Sequence, residues 1–73
     1  MERLKELRIK NKYTHKAMAE LLNISKPYYW QIENSKRGLS YEMAYRIAKI
    51  FNKKPDEIFY NYFDNKINSK TKS

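Results

Sequence analysis

Residues 14–34, THKAMAELLNISKPYYWQIEN, hold two short helical patterns separated only by Asn23-Ile24-Ser25. Asparagine is among the few non-glycine residues that enter the left-handed backbone region cheaply, so Asn23 can end the first helix and turn the chain. Ser25 can then cap the second helix by accepting from its free amides. Ala19 keeps the facing side of the first helix small, so the two backbones can approach closely. Ile24, Tyr29 and Ile32 supply the apolar groups that lock the angle between the helices. The stretch reads as two helices joined by a tight turn.

The flanks extend this helical reading in both directions. Residues 2–11 place Leu4 and Leu7 on one face and Lys5, Lys10 and Lys12 mostly outside. Asn11-Lys12 breaks that helix, and Tyr13 tucks toward the core. Thr14 is a suitable N-cap for a second helix over about 15–22, with Met18, Ala19 and Leu22 inward. The third runs over about 26–34, and Pro27 falls in its first turn, where a missing amide costs nothing.

After a basic loop holding the one glycine, Gly38, Ser40 caps a fourth helix over about 41–51. Ala44, Ile47, Ala48 and Phe51 repeat there at the spacing of a buried stripe. Pro55-Asp56-Glu57 opens a short fifth helix carrying Ile58 and Phe59. The fold class expected is all-α, a compact bundle of five short helices. Its domain spans residues 1–63, and the polar tail, residues 64–73, is expected to be disordered.

Seventy-three residues allow one domain with a small core. No cysteine is present, so neither disulfides nor thiolate metal sites can form, and one histidine cannot build a multi-histidine zinc site. No metal and no cofactor are expected. No apolar run approaches the roughly 20 residues needed to span a bilayer, and MERLKELRIKNK lacks a secretory signal's apolar stretch. The expected location is cytoplasmic. The formal charge is +8, and the 63 residues before the tail carry 13 basic and 7 acidic side chains. A basic folded surface favours a polyanion, nucleic acid or acidic membrane, although many small proteins are basic without one. No helix couples a basic face to a large apolar one, which argues against membrane. There is no glycine-rich phosphate loop and no supported Ser–His–Asp arrangement, so no catalysis is expected.

A tight helix–turn–helix with a basic surround is the layout whose second helix enters the major groove of double-stranded DNA. Over about residues 3–59 the chain resembles the Cro/C1-type helix-turn-helix family of phage repressors and related bacterial regulators. The resemblance is carried by Leu4-xx-Leu7-Arg8, Thr14, Ala19-xx-Leu22, Ile24-Ser25 and Ile32-Glu33-Asn34. Lys36-Arg37, Ile47-Ala48-Lys49 and Asp56-Glu57-Ile58-Phe59 continue it in register. It implies a lambda-repressor-like fold and a sequence-specific DNA-binding transcriptional regulator, a repressor, without enzymatic activity. It also implies that Arg8 and Glu33 form a partly buried structural ion pair outside the DNA site. The chain departs from the family pattern at His15, where glutamine is usual, and at Asn23 and Ser35, where glycine is common. Trp30 replaces a small or polar residue, and Lys53-Lys54 an apolar-then-hydroxyl pair.

On the third helix, Lys26, Pro27, Tyr28, Trp30, Gln31 and Asn34 point outward. Lys26 can donate to guanine O6 and N7, and Gln31 can bind adenine N6 and N7 bidentately. Pro27, at a family base-contact position, offers only apolar contact, such as to a thymine methyl. Trp30 either presses on sugar or thymine or covers the helix against Tyr28. The phosphate candidates are Thr14, His15, Tyr28, Asn34, Lys36 and Arg37, which position the protein without reading sequence. All but Asn34 have a plainer reading beside them: Thr14 as a cap, His15 as inert surface, Tyr28 as packing, Lys36 and Arg37 as a solvated loop.

Regulators of this family commonly pair on two-fold sites, so a homodimer on a two-fold operator is expected. Tyr60, Tyr62 and Phe63 are the interface candidates, with packing of the tail on its own domain as the alternative. No small-molecule ligand is evident. The competing functions are a DNA-binding antitoxin of a toxin–antitoxin pair, gripping its toxin with the aromatic end, and an interaction module that has lost DNA binding.

Overall fold

In the computed structural model, which describes the backbone of residues 1–71 and the side chains of residues 1–63, five helices follow in order. They are α1 Glu2–Lys10, α2 His15–Leu22, α3 Lys26–Glu33, α4 Tyr41–Ile50 and α5 Pro55–Thr71. No strand occurs among the described residues. The all-α expectation holds, and the first four helices fall within a residue or so of the expected bounds. α5 differs: it continues to Thr71 through a bend at Phe59, whose φ of −113° and ψ of 18° leave the helical region. The first turn, before the bend, is the short helix expected from Pro55-Asp56-Glu57. The disorder expected of residues 64–73 falls on side chains, and for residues 72 and 73 on backbone, that lie outside the described residues.

Hydroxyl caps start three of the helices. Thr14 Oγ1 accepts from the Ala17 amide at 3.0 Å, Ser25 Oγ from Tyr28 at 3.2 Å and Ser40 Oγ from Met43 at 3.1 Å. Each satisfies one amide that the helix itself leaves free, a contribution of about 1 kcal/mol. Stops are equally local. Lys12, Asn23, Ser35 and Asn52 all take φ between 56° and 62° just past a helix, and Gly38 does not. At Asn23 the left-handed turn lets the Ile24 amide reach back to the Ala19 carbonyl at 3.0 Å, the bond that closes such a helix end.

Packing sets the angle between α2 and α3. Ala19 is buried at that junction with Met18 and Leu22, against Tyr29 and Ile32 from α3. α4 adds Ala44, Ile47 and Ala48, and α5 closes the core with Ile58 and Phe59. Fully burying a side chain such as Ile47 is worth roughly 1.5–3 kcal/mol, so these few residues supply much of the stabilisation. One long-range tie was not anticipated from sequence. Arg46 of α4 donates from a terminal nitrogen to the Leu22 carbonyl at 2.6 Å, covering a backbone acceptor that α2 leaves open at its C-terminus.

Beneath the turn sits a buried ion pair. Arg8 Nε lies 2.8 Å from Glu33 Oε2 and the second terminal nitrogen 3.1 Å from Oε1, while the first donates to the Tyr13 carbonyl at 3.0 Å. A planar guanidinium meeting both carboxylate oxygens clamps α1 to the end of α3. The bonds to Glu33 raise the Arg8 pKa further, against the effect of burial. Burial pushes the Glu33 carboxyl up, but the hydrogen bonds and charge of Arg8 outweigh it and hold it below the usual range. The Tyr29 hydroxyl lies against the same carboxylate, buried and without a well-formed hydrogen bond. Burial therefore drives its phenol well above the ordinary value.

Candidate nucleic-acid interface

α3 stands with Tyr29 and Ile32 turned fully inward, and this fixes which residues face out. Tyr29 and Ile32 are three apart, so the opposite stripe carries positions 27, 30, 31 and 34, with 26 at its edge. The structure agrees. Lys26, Pro27, Trp30 and Gln31, the four base-edge candidates, line one shallow open depression on the outer face. Lys26, Pro27 and Trp30 are exposed and Gln31 is half-buried. Trp30 keeps 45% of its surface in solvent, so an apolar plate borders two polar side chains that can address base edges.

The phosphate candidates divide. Lys36 and Arg37 are exposed in the loop after α3. Arg37 folds back over the helix: its guanidinium carbon lies 4.6 Å from the centroid of the Tyr28 ring, and its Nε donates to Gln31 Oε1 at 3.0 Å. Tyr28 is half-buried and serves as the platform for that cation. Asn34 is exposed, but its side-chain amide donates to the Trp30 carbonyl at 2.9 Å, so it closes the end of α3.

At the start of α2, Thr14 is exposed and its hydroxyl oxygen serves as the cap. His15 turns inward. Its Nε2 is 3.4 Å from Glu33 Oε1 and its ring centre 6.0 Å from that of Tyr29. It joins the buried Arg8–Glu33 pair as a flank, a role that sequence reading missed because no local pattern marks a contact across two helices. Thr14 stays exposed at the start of α2, where a helix N-terminus favours an anion.

The interface candidates at the other end are placed differently from one another. Tyr60 is 63% exposed. Tyr62 and Phe63 are half-buried against the core. The Tyr62 hydroxyl accepts from the Leu39 amide at 3.0 Å, and Phe63 meets Tyr41 at 5.8 Å between ring centres. The two rings thus bind the segment after the bend in α5 to the start of α4.

Among the described residues no group of three or more histidine, cysteine, aspartate or glutamate side chains gathers to hold a metal ion. No helix described is long and apolar enough to cross a membrane.

The family model described as helix-turn-helix matches residues 4–58, a span that takes in most of α1, all of α2 to α4 and the first turn of α5. No curated protein and no solved structure matches the chain. The chain belongs to the Cro/C1-type helix-turn-helix family, a family of DNA-binding regulators.

Proposed function

We propose that this helix-turn-helix protein is a sequence-specific transcriptional regulator, a repressor, that reads the major groove of double-stranded DNA with α3 and works in the cytoplasm. One observation carries the reading: Lys26, Pro27, Trp30 and Gln31 share a single open depression on the face of α3 opposite the core. A rigid helix with its buried side fixed and two hydrogen-bonding side chains aimed outward is what base-edge recognition requires. Lys36, the Thr14 hydroxyl and the free amides of α2 supply contacts to the phosphates on either side. The proposal includes two copies on a two-fold operator, with Tyr60 as the exposed member of the contact between them. The exposed rings of Tyr41, Tyr45 and Tyr60 favour, as a second reading, an antitoxin that holds its toxin through α4 and α5 while α3 binds DNA.

Selection of bound sequences from a random duplex pool tests the reading. The native chain is expected to enrich one motif, with two half-sites about one helical turn apart. Gln31→Ala should weaken binding to that motif by roughly 1–3 kcal/mol and relax choice at one base pair. A pool that stays random, with no low-salt affinity for duplex either, would refute the proposal. A single unpaired half-site would refute the two-copy arrangement alone. A neighbouring gene product that co-purifies with the chain and is toxic without it would move the assignment to the antitoxin.

A further inference from the structure

Sequence reading gives Gln31 and Arg37 different tasks, a base edge for one and a phosphate for the other. The structure joins them. Arg37 Nε donates to Gln31 Oε1 at 3.0 Å, and the guanidinium lies over the Tyr28 ring, 4.6 Å from its centroid. The ring contact and the Nε bond hold the guanidinium at two points, so a side chain from the loop is laid back on α3. What Arg37 still has to offer are its two terminal amino groups, and both are donors. Gln31, with its amide oxygen turned to Arg37, keeps its amino group as a free donor, while the second lone pair of that oxygen is left beside the cation.

The consequence is chemical. In the major groove adenine presents an acceptor at N7 and a donor at N6, so its reader must both donate and accept. Guanine presents two acceptors, O6 and N7, so its reader must only donate. A glutamine acting alone suits adenine. A glutamine whose oxygen is engaged by an arginine is biased toward guanine: the guanidinium donors beside it oppose the adenine N6 amino group and offer guanine the planar fork that it takes best. We infer that Gln31 and Arg37 form one donor-rich reading unit that selects guanine over adenine at the base pair facing the middle of α3. The inference rests on the proposed role of α3 in reading DNA and names the base that it reads there. Arg37 is then a specificity-determining residue and not a phosphate clamp.

Sequence selection on the native chain, Gln31→Ala, Arg37→Ala and Arg37→Lys tests this, after a thermal melt confirms that each variant folds. Arg37 is exposed and Gln31 half-buried, and neither belongs to the core, so the folds should survive. The base pair in question is the one at which Gln31→Ala loses its preference. The native chain should show guanine there. Arg37→Ala should free the Gln31 oxygen and move the preference at that pair toward adenine by at least about five-fold, leaving the other positions as they were. Arg37→Lys keeps the charge and the donors but not the planar fork, and should weaken the guanine preference without moving it to adenine. Any base other than guanine in the native chain would overturn the inference, as would a Gln31→Ala variant with unchanged choice throughout. So would an Arg37→Ala variant that loses affinity equally on all sequences and is restored by lysine, which is the behaviour of a phosphate contact. A native chain that enriches nothing would instead defeat the DNA-reading proposal, and this inference with it.

Discussion

Replacing Glu33 with alanine strands Arg8. The Glu33 side chain is 3% exposed and that of Arg8 10%, so neither reaches much water. In the native chain the guanidinium spends two of its three nitrogens on the carboxylate, at 2.8 and 3.1 Å, and the third on the Tyr13 carbonyl. Removing the carboxylate leaves a positive charge in the core with one backbone acceptor. A stranded buried charge of this kind costs about 3–5 kcal/mol, against about 4–11 kcal/mol expected for a domain of this size. Urea unfolding followed by far-UV circular dichroism measures it, and the melting temperature should fall by more than about 12 °C. The double substitution Arg8→Met/Glu33→Leu separates a stranded charge from lost packing. It should stay within about 2 kcal/mol of the native chain, because an apolar pair needs no compensation. A loss below about 1 kcal/mol for Glu33→Ala, or a double variant as unstable as the single, would refute this account of the pair.

The ion pair and the turn after α1 each carry a further consequence for stability. Because Glu33 is held below the usual carboxylate range, its contribution is present above the unfolded value of about 4.3 and is lost as pH falls below it toward the folded value. Stability curves recorded across that window should sag in the native chain and lose most of the sag in Arg8→Met/Glu33→Leu; equal curves would contradict it. Lys12 holds φ 62° and is exposed, so Lys12→Gly removes a left-handed side-chain penalty of about 1–2 kcal/mol. Set against glycine's greater freedom when unfolded, it should raise stability by up to about 1 kcal/mol, and a destabilised variant would show that the turn does not depend on that angle.

The parts of this molecule legible in its sequence are those written in short spacings. Thr14, Ser25 and Ser40 announce helix starts by chemistry that acts within three residues, and each caps as expected. Asn23 signals the turn for the same reason, since its backbone preference is its own. The inward stripe of α4 is likewise set by periodicity alone. Arg8 and Glu33 are 25 residues apart, and nothing local pairs them; the family resemblance did so. Contacts made through space were not readable. His15 turns to Glu33, Arg46 reaches the end of α2, and Arg37 lies back on Gln31 only because the folded helices bring them together. The length of α5 was not readable because its polar composition after Phe63 carries no apolar periodicity. The Tyr62 hydroxyl on the Leu39 amide, which holds the segment beyond the bend, is a single long-range bond.

Titration of an isotope-labelled chain with its selected duplex, followed by amide chemical shifts, tests the central claim most directly. Groove docking by α3 predicts the largest changes at Lys26, Trp30, Gln31 and Arg37, with smaller ones at Thr14 and Lys36 and little at Ile58 or Tyr60. Shifts concentrated on Tyr41, Tyr45 and Tyr60 while residues 26–31 stay still would contradict it.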